Sequence, residues 1–135
     1  MVEHALWVTT DRFEASTPGA NFINPGCFGE DFALWLQPLL AERGLEVSEP
    51  IQEDWGWVIL VTLAGHKFTI SIGVMDESIG KVPANWRIGI AYEKPLNRIR
   101  TWFKPPPVES LLALFRDVQT VLVGEPRFRV SEEEP

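Results

Sequence analysis

Cysteine is nearly absent from these 135 residues: Cys27 stands alone. A single cysteine cannot close an internal disulfide or furnish a zinc site of the four-cysteine kind. Histidine is almost as scarce, with His4 and His66 only. There is no HExxH pair, no EF-hand spacing and no phosphate-cradling glycine loop, since "NPGCFGED" (24–31) lacks the lysine a P-loop requires. No apolar run approaches the roughly 20 residues a membrane helix needs. Basic residues are missing from most of the first half: residues 1–54 hold ten acids against Arg12 and Arg43 alone, a local charge of −8. The sequence therefore offers no metalloprotease, EF-hand or P-loop signature and no membrane-helix candidate, and no cofactor, metal or membrane partner is expected.

What is present is an ordinary folding composition, 45% apolar and 23% charged, at a length suited to one domain over 1–135. The N-terminus "MVEHALWVTT" has an acid, no lysine or arginine and no small-residue cleavage pattern, so the expectation is a reduced, cytoplasmic protein without a secretory signal. Net charge is −7, unevenly distributed. Residues 55–131 carry +4, and Glu132, Glu133 and Glu134 add −3 in a tail (131–135) expected to fray. Overall acidity disfavours nucleic acid, whose phosphates need a clustered basic face. The exception is 87–104, with Arg87, Lys94, Arg98, Arg100 and Lys104 against Glu93 alone. These charges are read as balancing the acidic first half.

Apolar spacing places a helix over 29–44, with Phe32, Trp35, Leu36, Leu39 and Leu40 on one side and Pro38 as the discordant residue. A second helix spans 105–125, with a stripe of Val108, Leu111, Leu112, Phe115, Val118 and Leu122. Between them lie strands. "ALWVTTDRF" (5–13) precedes the first helix as a candidate edge strand. Residues 45–54 form an edge strand or extended approach, 55–63 a central strand, and 68–75 and 86–92 clean alternations. "AGHK" (64–67) is a hairpin turn, and "RIRTWF" (98–103) a further strand. Helices flank the strands and do not alternate with them. The expected fold is therefore α+β: an antiparallel sheet of four to six strands with two helices packed on one face. Thr69, Ser71, Gly73, Gly89 and Ala91 point the other way, leaving that face open or lightly covered.

The catalytic inventory is thin. Cys27 precedes a helix, where a thiol can be activated, but the adjacent Glu30 and Asp31 oppose a thiolate, and the plainer reading is a small buried apolar group. His66 lies in a turn and is read as an exposed polar residue. The loop 16–31 is long and a candidate surface, although Phe22, Ile23 and Phe28 suit a role in tucking it onto the core.

Six tryptophans are the unusual feature. Trp35 and Trp86 fall on core stripes, Trp55 and Trp57 are placed on one face of one strand, and Trp7 and Trp102 are candidate exposed anchors. The favoured expectation is a small acidic, non-enzymatic, protein-binding domain of the immunity or inhibitor type. It would engage a basic protein partner through Glu49, Glu53, Asp54 and Trp55, with Asp31 nearby. One alternative is a ligand-binding or minor enzymatic site between the 16–31 loop and the sheet, drawing on Cys27, Asp31 and His66. Another is a homodimer or larger homo-oligomer paired through an edge strand or the open face.

Overall fold

A computed structural model describes residues 3–20, 22, 27–93 and 107–135. The alternating segments form β1 (Glu3–Thr10), β2 (Glu46–Val47), β3 (Ile51–Glu53), β4 (Gly56–Leu63), β5 (His66–Val74), β6 (Ala84–Tyr92) and β7 (Arg129–Ser131). Helix α1 (Glu30–Glu42) lies between β1 and β2, and α2 (Val108–Val123) between β6 and β7. All pairings are antiparallel, in the order β2-β4-β5-β6-β1-β7, with β3 also on β4. The fold is thus the expected α+β arrangement, with one strand more than the upper expectation. The extra strand arises because β2 and β3 lie end to end along the same edge of β4.

The break between them has a local cause. Glu46 and Val47 pair with Thr62 and Val61, and Ile51 to Glu53 with Val58 to Gly56. Three residues, Ser48 to Pro50, therefore oppose two, Ile59 and Leu60, which is a bulge. Pro50 cannot donate to a ladder, so the irregular segment accommodates it. The Ser48 side chain repairs the ladder: Leu60 N–H donates to Ser48 Oγ at 2.9 Å and Ser48 N–H donates to the Leu60 carbonyl at 2.8 Å.

The two-residue connection Ala64–Gly65 joins β4 to β5, both residues having positive φ (54° and 78°). This matches the right-handed twist of the flanking strands, and glycine takes the conformation without penalty.

Period-two alternation sorts the sheet into two faces. Leu6, Val8, Ile59, Val61, Phe68, Ile70, Ile72, Trp86, Ile88 and Ile90 lie fully shielded on one face, in a single core with Phe32, Leu36 and Leu40 of α1 and Leu111, Leu114, Val118 and Leu122 of α2. Each such side chain contributes about 1.5–3 kcal/mol when fully removed from water. An aromatic cluster locks α1 onto β6: Phe13 stacks on Phe32 at 4.3 Å between centroids, Phe32 meets Trp86 at 5.5 Å, and Phe128 meets Trp35 at 5.0 Å. Arg12 covers Trp35 at 5.2 Å and bonds Glu125 at 2.7 Å, closing the cluster on the solvent side.

Helix α1 runs unbroken through Pro38. Both Pro38 and Leu34, whose carbonyl loses its usual donor, are exposed, so water can satisfy that oxygen. Arg43 falls just past the helix and ties α1 to α2 through Asp117, with Nη2 2.8 Å and Nε 3.0 Å from Oδ1. In α2 the stripe is shifted from expectation: Leu114 is buried and Val108 exposed. The expected strand at 98–103 and Trp102 lie outside the described residues. Ser131, expected in the frayed tail, ends β7, and its hydroxyl accepts from Glu133 N–H at 2.9 Å.

Candidate functional site

The segment around Glu53 folds into a hairpin that alternation alone does not reveal. Glu53 pairs with Gly56, leaving Asp54–Trp55 as a two-residue turn between β3 and β4. Trp55 is therefore not a strand residue, and the expectation that it shares a face with Trp57 is overturned. Trp57 enters the core, 5% exposed, while Trp55 is 51% exposed. Its Cε3 edge lies 3.7 Å from where a Cβ on Gly73 would stand, on the face opposite the helices.

Gly56 permits this arrangement. A Cβ at that position would stand 2.2 Å from the Ile72 carbonyl oxygen, so β4 and β5 approach closely only because no side chain intervenes.

The acids distribute as follows. Glu46, Ile51 and Glu53 face the open side by alternation, each exposed, and Glu49 is exposed on the bulge. No lysine or arginine occurs between Arg43 and Lys67. The result is an acidic rim along one sheet edge, ending at Asp54 and Trp55. None of the ion pairs among the described residues involves Glu46, Glu49 or Glu53.

Asp31 is not part of this rim. It opens α1 on the helix-covered side, where its Oδ2 accepts from Glu14 N–H at 2.8 Å and its Oδ1 from Phe32 N–H at 2.9 Å. The sheet separates it from Trp55, and its role is to pin residues 11–17 against the helix. Glu14 continues that bend. Its Oε1 accepts from Ser16 Oγ, from Thr17 N–H at 2.8 Å and from Ser16 N–H at 2.9 Å. Those bonds, the Ser16 hydroxyl first, hold the carboxyl below its ordinary value.

Cys27, Asp31 and His66 do not converge. Cys27 is fully buried beside the β3–β4 hairpin, its thiol donating to the Glu53 carbonyl at 2.9 Å and reaching the Gly56 carbonyl at 3.5 Å. His66 pairs with Leu63 at the far end of β4, a strand of eight residues and so about 25 Å long. The three residues line no common cleft. His66 instead meets Tyr92 edge-on at 6.0 Å. Among the described residues no group of three or more His, Cys, Asp or Glu side chains is placed to hold a metal ion. No described helix is long and apolar enough to cross a membrane.

Trp7, an expected exposed anchor, is half-buried on the open face, its Nε1 shielded from solvent. Arg87, from the basic stretch, lies across Gly89 and bonds Glu3 at 2.6 Å, so this charge is compensated within the sheet. The rest of that stretch, from Lys94 to Lys104, lies outside the described residues.

One feature was missed by sequence reasoning. Trp55, Ser71, Gly73, Val74, Met75, Asp76, Glu77 and Arg87 line a cleft of about 290 Å³ on the open face. Its acids come from the 3-10 turn Asp76–Ser78 after β5. Only the pairing of β3 with β4 and β4 with β5 brings that turn beside Trp55. Comparison with family models, curated proteins and solved structures gave no match.

Proposed function

We propose that this chain is a small, acidic, non-enzymatic protein-binding domain whose β3–β4 rim engages a basic face of a protein partner. The observation that carries the reading is the rim itself: Glu46, Glu49 and Glu53 exposed along one edge, with the apolar Ile51 and Trp55 among them and no lysine or arginine in the sequence between Arg43 and Lys67. Exposed acids raise the rate of encounter with a basic surface, while a solvent-facing indole supplies the buried area that holds the complex. The bulge, Pro50 and the acids blunt this edge against pairing with another copy, which favours a heterologous partner over a homo-oligomer.

The test compares the wild-type chain with Glu49→Lys/Glu53→Lys, using Glu109→Lys on α2 as the control. Each is immobilised, exposed to the proteins of its own cell, and the captured proteins are identified and titrated by calorimetry. The reading expects one basic partner, a complex weakened by rising salt, and affinity reduced at least about tenfold by the rim variant but not by the control. Identical capture by the rim variant and the wild type would reject it.

A further inference from the structure

We infer that the cleft between Trp55 and the Asp76–Glu77 turn receives an arginine side chain of the protein partner. This rests on the protein-binding reading above and adds to it a specific contact where the rim ends at Trp55.

Three independent features meet there. The first is an indole that is half exposed, lying against the backbone of β5 at Gly73, with no ring or cation partner among the described residues. The second is a pair of exposed carboxylates, Asp76 and Glu77, that accept no side-chain hydrogen bond or ion pair among the described residues. The third is the concavity itself, an open cleft of about 290 Å³ with Val74 and Met75 in its lining. Among the described residues one cation lines the cleft, Arg87, and it is already paired with Glu3.

An aromatic face combined with carboxylates suits a cation that is also planar. A guanidinium stacks flat on an indole while its edge donates two parallel hydrogen bonds to a carboxylate. A lysine ammonium is a compact, strongly hydrated charge and gains less from the ring. An anion would meet two uncompensated carboxylates, and a purely apolar group would desolvate them without replacing their hydrogen bonds.

The experiment uses the full chain, labelled with ¹⁵N, and three probe peptides of identical length: one with a single central arginine, one with lysine, and one with citrulline. Citrulline keeps the planar shape and loses the charge. The expected result is a saturable shift of the Trp55 indole N–H and of the Asp76 and Glu77 amides with the arginine peptide. Lysine should bind several-fold more weakly, and citrulline should cause no shift. Trp55→Ala and, separately, Asp76→Asn/Glu77→Gln should each weaken the arginine peptide by about tenfold. Glu109→Lys, on α2 and away from both the rim and the cleft, should leave the Trp55 shift in place.

Equal shifts with arginine and citrulline, shifts confined to Glu46, Glu49 and Glu53, or no shift at Trp55 at millimolar peptide would each overturn the inference. The protein-binding reading is tested separately by the rim variant in the capture experiment, so either can fail without the other.

Discussion

Trp57 and Cys27 lock the chain entering α1 to the β3–β4 hairpin: the indole Nε1–H donates to the Cys27 carbonyl oxygen at 3.1 Å. The Cys27 thiol in turn donates to the Glu53 carbonyl. The acidic rim and Trp55 thus hang from a hairpin whose inner side is bonded to the core, which limits the entropy that a partner's binding would have to remove.

Replacing Trp57 by Phe removes this hydrogen bond and part of a buried ring. A loss of about 1–3 kcal/mol is expected in urea unfolding. The fully buried Cys27 thiol should be inert to a thiol reagent in the folded wild type, reacting only as fast as the protein opens. Rapid stoichiometric labelling of the native chain would contradict this placement.

Gly56→Ala should be far more damaging than Gly73→Ala. At position 56 the added methyl meets the Ile72 carbonyl at 2.2 Å and its carbon at 3.2 Å, both strand backbone that cannot swing aside. The expected cost is about 1–3 kcal/mol, the usual range for overpacking, or more if the β4–β5 ladder opens. At position 73 the nearest atom is 3.5 Å away, an ordinary contact, so the change should stay within about 0.5 kcal/mol. Thermal melts of the two variants side by side decide it.

Ala64 holds φ at 54°, a region that L-residues other than Asn, Asp and Gly rarely visit. Ala64→Asn should raise stability by several tenths to about 1 kcal/mol, since asparagine tolerates this conformation and favours the type of hairpin turn seen here. A lower melting temperature would count against the turn geometry.

Glu14 gives a pH prediction of definite sign. Its folded carboxyl binds a proton less readily than in the unfolded chain, whose ordinary value is 4.5. The associated stability is therefore fully present above that value and disappears as pH falls through the lower folded value. Glu14→Gln should flatten the acid side of the stability–pH profile and change its neutral region only slightly, because the group is exposed. Urea midpoints across the acid range for both proteins measure this; an unchanged acid slope would remove Glu14 as a contributor.

Much of the fold was legible along the chain. β5 and β6 show strict alternation: of the inward residues, Phe68, Ile70, Ile72, Trp86, Ile88 and Ile90 became core, while Val74 and Tyr92 at the strand ends are only partly buried against it. α2 announced itself by apolar recurrence at three and four. The β3–β4 turn was illegible for a physical reason. Asp54–Trp55 contains no glycine or asparagine, and among the described residues Ala64 is the one non-glycine with positive φ, so the turn carries none of the signature of a primed hairpin.

The candidate site divides along the same line. Sequence alone determined its charge, because the gap between Arg43 and Lys67 holds four acids and no lysine or arginine wherever the chain folds. It also determined which residues could enter a core, since side-chain alternation is a local property of extended backbone. Tertiary structure decided which groups meet. It put Asp31 and Trp55 on opposite sides of the sheet, kept Cys27 a strand's length from His66, and brought Asp76 and Glu77 beside an indole some twenty residues away. Those placements depend on strand register and on which face a helix covers, both set by burial summed over the whole core and by no single stretch of the chain.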